Sequence, residues 1–186
     1  MSQANEVRII GGKWRSRKIK FSGDVYLRPT PNRVRETLFN WLETTIVDAT
    51  GLDMFAGSGA LGFEALSRGA KTIVMMDKSK QVISNLKKNA DTLATKDIVL
   101  ICKEFSPILP NFFNQQFDIV FLDPPFRQNL IQICSQWLEQ HHCLTENAII
   151  YTENESSLKN INVPANWELY RQKTAGQVCY SLWHRK

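Results

Sequence analysis

The feature that most constrains the fold is a glycine-rich stretch, "GLDMFAGSGALGFEALSRGA", at residues 51–70. A short apolar segment leads into Gly57, Gly59 and Gly62, and a helical pattern follows. Asp77 ends the next apolar segment, twenty residues beyond Gly57. This spacing predicts a strand, a tight turn and a helix that hold a nucleoside-containing ligand, with the later acid bound to a ribose.

The rest of the chain repeats this alternation of strand and helix. Short apolar strands alternate with helical patterns, and "WELYRQKTAGQVCYSLWH" closes the chain as two strands about a turn at Ala175 and Gly176. Thr30 is the expected N-cap of a helix that begins at Pro31, and "SPILPNFFNQQ" predicts a short or broken helix. The pattern indicates an α/β fold with a mostly parallel, doubly wound, seven-stranded sheet and an antiparallel C-terminal hairpin.

Positive charge is concentrated before this domain. Residues 8–35 contain nine basic side chains and one acid, a local charge of +8 in a chain whose net charge is +5. We expect residues 1–30 to form a basic arm or hairpin and residues 31–186 to form the α/β domain. A one-sided basic segment favours a polyphosphate partner, although a merely solvated charged face is the alternative. The basic residues are Arg8, Lys13, Arg15, Arg17, Lys18, Lys20, Arg28, Arg33 and Arg35.

Asp53 favours one cofactor over another. It precedes the glycine turn by four residues on the strand that leads into it, where a carboxylate would repel the pyrophosphate of NAD. S-adenosylmethionine has a ribose but no phosphate, and it carries a sulfonium and an ammonium group. Acids at Asp53, Asp77 and Asp123, each at a predicted strand end, therefore favour S-adenosylmethionine. A role for Asp53 as a turn cap is the alternative.

The segment "FDIVFLDPPF" begins as a buried strand and ends at an acid, two prolines and an aromatic residue. Prolines stop strands, so the ending alone is compatible with an ordinary turn. Beside a methyl donor, however, Asp123 and the Pro124 carbonyl can accept the two N–H groups of a nucleobase amine and free its lone pair for attack. Pro125 would stiffen the turn, and Phe126 would stack on the base.

These motifs together resemble a known family. "DPPF" is similar to the [DNS]-P-P-[FYW] motif of amino-methyltransferases, and "LDMFAGSGALGFEALSRGA" resembles the cofactor motif of class I methyltransferases. With "RIIGGKWRSRKI", "RPTPNRVRETLFNWL", "VPANW" and "AGQVCYSL", the chain resembles the bacterial RsmD family over nearly its whole length. That family comprises the 16S rRNA (guanine(966)-N2)-methyltransferases, so the resemblance implies a Rossmann-like class I methyltransferase.

The resemblance also implies roles for individual residues. The basic side chains would meet phosphates of 16S rRNA, in an assembled small ribosomal subunit. Relatives place an Asp or Asn followed by a small residue against the adenine, whereas this chain has "CKEF", so we expect Glu104 and Phe105 there. The catalytic set would be Asp123, Pro124, Pro125 and Phe126, and the S-adenosylmethionine site would comprise Asp53, Phe55, Ala56, Gly57, Ser58, Gly59, Asp77, Glu104 and Phe105.

Other classes of protein are disfavoured. No apolar run approaches the length of about 20 residues that a membrane-spanning helix needs, and the first residues lack the apolar core of a secretory signal, so we expect a cytoplasmic protein. The four cysteines lack metal-ligand spacing, so we expect no metal. Two alternatives stay open: an adenine-N6 DNA methyltransferase, and an inactive RNA-binding assembly factor.

Overall fold

The computed structural model describes residues 4–22, 30–126, 128–158 and 161–186. Within these residues the chain forms nine strands, four α-helices and one short 3-10 helix. The strands are β1 Ala4–Arg8, β2 Lys18–Ser22, β3 Thr50–Asp53, β4 Thr72–Asp77, β5 Ile98–Cys102, β6 Phe117–Leu122, β7 Leu144–Glu155, β8 Trp167–Ala175 and β9 Val178–Arg185. The α-helices are α1 Asn32–Trp41, α2 Ala60–Ser67, α3 Lys80–Thr92 and α4 Leu130–Gln140, and the 3-10 helix is Gly12–Trp14.

The chain divides into two compact units, and the first is Met1–Glu104. Its central strands are parallel and lie in the order β5-β4-β3, with Asp53 paired to Met75 and Asp77 paired to Cys102. Strand β4 is almost wholly buried, as expected for a parallel strand covered on both faces. Because the strands are parallel, their carboxyl ends lie at one edge, where Asp53 and Asp77 are the last residues of β3 and β4.

The basic N-terminal segment folds back onto this unit as an antiparallel hairpin. Strands β1 and β2 are paired from Arg8 with Lys18, next to the loop, to Ala4 with Ser22 at the open end. The loop between the strands contains the 3-10 helix. Ile9, Trp14, Ile19 and Phe21 are buried, so the hairpin has an apolar side that packs against the unit.

The second unit is Phe105–Lys186. Its strands lie in the order β6-β7-β9-β8, with β6 and β7 parallel and the last three strands antiparallel. Strand β6 is almost completely buried, and Trp137 of α4 is 1% exposed, so the unit has its own apolar core. Strand β8 pairs only with β9 among the described residues, and most of its side chains are exposed.

The predicted fold class is confirmed. Seven of the nine described strands follow the predicted pattern: the pairs β5–β4, β4–β3 and β6–β7 are parallel, helices alternate with these strands, and the chain closes with the antiparallel hairpin β8–β9. The turn of that hairpin lies one residue later than predicted, at Gly176 and Gln177. In the described part of the chain, no helix is both long and apolar enough to cross a membrane.

Two local predictions were wrong. Helix α1 begins at Asn32 with Pro31 as its N-cap, so Thr30 is not the cap. The Thr30 carbonyl instead accepts a hydrogen bond of 3.3 Å from Arg35 Nε. The segment at 106–116 contains one turn and no helix, because its two prolines remove backbone donors and Trp137 Nε1 holds the Leu109 carbonyl at 2.8 Å. The boundary predicted at residue 30 follows a segment, 23–29, that lies outside the described residues.

Candidate active site

The glycine turn follows the carboxyl end of β3. Gly57 and Gly59 have φ angles of 49° and 78°, in the left-handed region that residues with a Cβ rarely adopt. A Cβ on Gly59 would also lie 2.5 Å from Leu86 and 2.8 Å from Phe63. The turn closes by a hydrogen bond of 2.7 Å from the Gly59 N–H to the Ala56 carbonyl. Only glycine permits this approach of the turn to α2, and Gly57 stays partly exposed at its tip.

Asp77 connects the turn to the start of α3. Its Oδ2 accepts a hydrogen bond from the Gly57 N–H at 3.1 Å, and its Oδ1 accepts one from the Ser79 N–H at 2.8 Å. Ser79 caps α3 by accepting a hydrogen bond from the Val82 N–H. A carboxylate has about four lone-pair directions, so Asp77 can also accept from a ligand hydroxyl while these contacts hold it in place.

Asp53 lies beneath the turn and is 2% exposed. Its Oδ2 accepts a hydrogen bond of 3.2 Å from the Gly62 N–H in the first turn of α2. Burial raises the pKa of the Asp53 carboxyl to about 7, and the charge of Asp77 contributes in the same direction. The backbone bond from Gly62 opposes this rise without cancelling it.

The chemistry of these donors suits a cation. Asp53 and Asp77 both bind the backbone around the turn; burial is the main cause of the raised pKa of Asp53, and repulsion by the charge of Asp77 adds to it. A positively charged ligand at this edge would relieve that repulsion, whereas a pyrophosphate would increase it. The backbone and carboxylates that the sequence analysis predicted as a cofactor site are thus brought together within the first unit.

The two residues expected against an adenine lie beyond β5. Glu104 is exposed, and its Oε1 forms an ion pair of 3.1 Å with Lys78 Nζ. Phe105 belongs to the second unit, where its ring packs edge-on against Trp137 at 5.8 Å between centroids. Their contact with a ligand stays a prediction.

The "DPPF" segment follows directly on the carboxyl end of β6. Asp123 is half-buried, Pro124 is buried, Pro125 is exposed, and Phe126 is 40% exposed although it is a large aromatic residue. The prolines end the β6 ladder because they have no N–H to donate. An exposed ring beside a half-buried acid and a fixed carbonyl is a suitable surface for a flat, amine-bearing base.

Two residues near this segment escaped the sequence analysis. Glu153 is 4% exposed at the carboxyl end of β7, and its Oε1 accepts a hydrogen bond of 2.8 Å from the Tyr151 hydroxyl. Burial raises the pKa of Tyr151 well above its ordinary value, and the charges of Glu153 and Asp123 raise it further. The available signal was that Glu153 follows the apolar residues of "AIIYTE", the position relative to a strand that Asp77 and Asp123 also occupy.

Most of the predicted RNA-binding residues are exposed on the hairpin and at the start of α1. The exposed residues are Arg8, Lys13, Arg15, Arg17, Lys18, Lys20 and Arg33. Lys18 forms an ion pair of 2.6 Å with Glu6, and Arg17 donates to the Thr92 carbonyl at 2.9 Å. Arg28 lies outside the described residues. These side chains could meet a polyanion, which stays a prediction.

Arg35 is an exception, and its predicted RNA contact was wrong. Its side chain is 0% exposed and lies 3.5 Å from the equally buried Glu64, measured from Nη1 to Oε2. Arg35 Nη2 donates to the Arg8 carbonyl at 2.9 Å and to Asn32 Oδ1 at 2.7 Å. No surface is left for a phosphate, so this arginine serves the packing of the hairpin.

A cavity of about 410 Å³ opens between the hairpin and the start of α1, and its lining contains none of the predicted cofactor-binding residues. Its lining includes Arg8 and Lys18 but also Glu6, so its charge is mixed. Among the described residues, no group of three or more His, Cys, Asp or Glu side chains could hold a metal ion.

Comparison with known proteins gives one consistent family. A family model described as "Conserved hypothetical protein 95" matches residues 7–184. The chain is 45% identical over 185 residues to "Ribosomal RNA small subunit methyltransferase D" of Escherichia coli K12, which covers 100% of this chain and 93% of the relative. It is 46% identical over 181 residues to the protein of the same name from Haemophilus influenzae, with 96% and 93% covered.

Solved structures agree with these relatives. The Escherichia coli protein yhhF, whose structure bears a provisional methyltransferase name, matches with a TM-score of 0.85 and 45% identity over 98% of this chain and 99% of that one. TrmN from Thermus thermophilus, at 18% identity and a TM-score of 0.65, shares the fold over 82% of this chain and 48% of its own.

Proposed function

The chain belongs to the RsmD family of ribosomal RNA small subunit methyltransferases, and on that premise we propose that it methylates the exocyclic N2 amine of guanine 966 in 16S rRNA, with S-adenosylmethionine as donor. The full-length match to relatives with this name supports an enzyme that methylates rRNA. The choice of donor, of atom and of an assembled small subunit as substrate rests on the resemblance together with the chemistry of the described residues.

The first unit would bind the donor. When bound, S-adenosylmethionine supplies an electrophilic methyl group on a positively charged sulfur. Asp77 would accept hydrogen bonds from the ribose hydroxyls, since its contacts to Gly57 and Ser79 already orient its oxygens. Asp53 and the backbone of 55–59 would bind the ammonium end, and Glu104 is the candidate for the adenine in this unit. Phe105, the other residue expected against the adenine, belongs to the second unit.

The second unit would prepare the amine. The N2 lone pair of guanine is delocalised into the ring, which makes the nitrogen a weak nucleophile. Asp123 and the Pro124 carbonyl would accept its two N–H groups and draw it towards tetrahedral geometry, so that the lone pair can form a bond to the methyl carbon as the sulfur–methyl bond breaks. The methylated nitrogen is then positively charged, and it returns to neutrality by releasing one proton to water. Pro124 and Pro125 stiffen the turn that carries these acceptors.

The target base must leave its stack before it can reach these acceptors. Phe126, 40% exposed, would stack on the extruded base, a contact worth about 1–3 kcal/mol. Unpaired nucleotides in RNA loops meet this demand at low cost. The exposed lysine and arginine side chains of the hairpin would bind the phosphates around the target nucleotide.

The observation that supports the donor assignment is the carboxylate pair, Asp53 and Asp77, on either side of a left-handed glycine turn. The experiment is transfer of a labelled methyl group from S-adenosylmethionine to small ribosomal subunits from cells that lack the protein, with plasmid DNA in parallel. We expect label only in the rRNA, at a single N2-methylguanine. Label in DNA alone would contradict the ribosomal function and favour the adenine-N6 alternative, and no detectable donor binding in calorimetry would favour an inactive RNA-binding factor.

A further inference from the structure

A buried carboxylate lies beside Asp123, and the proposed reaction assigns it no part. The last pair between the parallel strands β6 and β7 is Leu122 with Thr152. Asp123 and Glu153 are therefore the next residues on two adjacent strands. Glu153 is 4% exposed, which is unusual for a glutamate unless the acid has a defined partner.

Glu153 lies on the sheet face that carries Phe121 and Tyr151, and the charge of Asp123 acts on the same Tyr151 hydroxyl. Phe121 and Tyr151 are a register pair, and their rings meet at 6.3 Å between centroids, so both point to one face. Side chains alternate along a strand, which places Glu153 two residues later on that face. The Tyr151 hydroxyl reaches Glu153 at 2.8 Å, and the charge of Asp123 also acts on that hydroxyl. Asp123 and Glu153 thus share one neighbourhood within the second unit.

Burial increases from the rim of this neighbourhood inwards. Phe126 is 40% exposed, Asp123 is half-buried, and Glu153 is 4% exposed. A base that stacks on Phe126 and presents its amine to Asp123 would have Glu153 beyond the amine, on the side where water is excluded. In such a place a hydrogen bond discriminates strongly, because a mismatched group leaves a buried charge without a partner.

Guanine and adenine differ at the ring atom next to the amine. In guanine the N2 amine adjoins N1–H, a donor, whereas in adenine the N6 amine adjoins N1, which bears a lone pair. If Asp123 and the Pro124 carbonyl accept hydrogen bonds from the two amine N–H groups, the N1–H of guanine is the one donor left at this edge of the base. An ionised carboxylate such as that of Glu153 can accept from N1–H but has no hydrogen to donate to the N1 lone pair of adenine. We propose that Glu153 accepts a hydrogen bond from the guanine N1–H and is the residue that selects guanine over adenine. This inference rests on the proposed function.

Tyr151 supports this role. Its hydroxyl donates to Oε1 and so fixes the rotamer of Glu153, while a carboxylate offers about four lone-pair directions and can accept from more than one donor. On the other side of β7, Tyr180 of β9 is the register partner of Glu153 and is 3% exposed. The carboxylate is therefore held between defined neighbours, which is the preorganisation that base selection requires.

The test uses 2-aminopurine, which has the N2 amine of guanine but a lone pair at N1. Small-subunit particles are reconstituted with guanine or 2-aminopurine at the target position, and labelled methyl transfer is measured for the unmodified enzyme and for E153Q. We expect the unmodified enzyme to prefer guanine by on the order of a hundredfold or more. E153Q should reduce this preference to less than about tenfold, because its amide can rotate to donate to N1.

The second readout needs no turnover. Affinities of both enzymes for the two particles are measured with S-adenosylhomocysteine present, and the ratio of the affinities should fall in E153Q as the rate ratio does. E146Q is the matched control, since Glu146 is an exposed residue of the same strand, and it should keep the full preference. If E153Q does not fold, E153D replaces it; the shorter acid should slow methylation of guanine by about tenfold or more and keep the preference.

The possible failures are distinct. If the unmodified enzyme methylates neither particle, the proposed function is wrong. If it methylates guanine but E153Q keeps the full preference in both rate and affinity, or E153D is unimpaired, Glu153 has only a structural role and the inference is overturned.

Discussion

At the scale of single residues, Asp53 combines two requirements that conflict. Under the proposed function its carboxylate is charged when it binds a cationic donor, yet burial raises the pKa of Asp53 to about 7. A bound cation favours the ionised form, so donor affinity should depend on pH through the charge of this one group.

We expect donor affinity to weaken as pH falls below about 7. About one pH unit below the pKa, only about a tenth of the Asp53 carboxyls are ionised, so the dissociation constant should rise by up to about tenfold. Calorimetry with S-adenosylmethionine between about pH 6 and about pH 7.5 measures this, a range in which the donor's own α-amino group stays mostly protonated. Asp53→Asn is the control, and it should bind more weakly with no such pH dependence. A wild-type affinity that does not change with pH would show that Asp53 does not face the cation.

Stability should change with pH in the opposite direction. A carboxyl whose folded-state pKa is raised contributes stability that is present below its unfolded pKa and is lost as pH rises through about 7. The ligand-free protein should therefore become less stable from about pH 4 to about pH 7 through this group. Asp53→Asn should show a smaller decline in urea unfolding over the same range.

A second prediction at this scale concerns Asp123. Asp123→Ala removes a proposed acceptor of the amine protons, so turnover should fall by on the order of a hundredfold or more, while donor affinity should be nearly unchanged because Asp53, the glycine turn and Asp77 lie in the first unit. Asp123→Asn keeps one acceptor oxygen and should lose much less. Initial rates with small-subunit particles, together with calorimetry, separate these effects. If turnover falls equally in the two variants, a single acceptor oxygen at position 123 does not support catalysis.

The residues that sequence reasoning found are those whose position follows from local pattern. Asp53 and Asp77 end apolar strands of the first unit, and Asp123 follows directly on an apolar strand of the second, so each position can be predicted from the adjacent residues. Glu153 was missed because its proximity to Asp123 results from the pairing of β7 with β6, which cannot be predicted from the residues next to Glu153 in the sequence. Arg35 was misassigned because a count of charges carries no information about burial.

At the scale of elements, the best-defined feature is the attachment of the hairpin loop to α2 through Glu64. Its Oε2 accepts from the Ile10 N–H at 2.7 Å, and its Oε1 accepts from the Gly11 N–H at 2.8 Å and from Arg68 Nε at 2.8 Å. Arg35 completes the cluster. Gly12 next to it has φ 73°, and a Cβ there would lie 1.8 Å from the Ser67 carbonyl. The basic hairpin is thus held by a buried charge cluster and by close backbone contact.

Replacing Glu64 should therefore destabilise the first unit strongly. Glu64→Gln leaves Arg35 buried without a counter-charge, and breaking a buried pair in this way costs about 3–5 kcal/mol. Urea unfolding measures the loss. Glu6→Gln, which removes the exposed partner of Lys18, should have no measurable effect. Adding Arg35→Met to Glu64→Gln should recover part of the loss; a double variant as unstable as the sum of the single changes would contradict the coupling.

The sequence pattern predicted the buried strands better than the irregular segments between them. Strands β3, β4 and β6 are apolar runs with clear ends, and they lie where the sequence indicates. The short or broken helix expected at 106–116 does not form: its two prolines remove backbone donors, and Phe112 and Phe113 pack as an aromatic cluster on Trp137. Tertiary packing, which no local pattern records, decides the structure of that segment.

At the scale of the whole molecule, the distribution of charge predicts how RNA binding should respond to salt. The exposed basic residues lie on the hairpin and at the start of α1, whereas the carboxylates of the candidate site lie at strand ends. Each phosphate that a side chain neutralises releases a counterion and adds about 0.7–0.9 to the slope of log affinity against log salt. The salt slope therefore counts phosphate contacts.

Arg15 and Arg33 are the residues to test, since both are exposed. Arg15→Gln and Arg33→Gln should each weaken binding to small-subunit particles and lower the salt slope by about 0.7–0.9, because each removes one phosphate contact. Lys186→Gln removes an exposed charge that is paired with Glu168 in the other unit, and it should leave the slope unchanged. Arg35→Gln should lower the stability of the protein without altering the slope, because this buried side chain cannot reach a phosphate. If the slope stays constant in the Arg15 and Arg33 variants while affinity falls, these arginines contact the particle through groups other than phosphate; if both quantities stay constant, the hairpin is a solvated charged face.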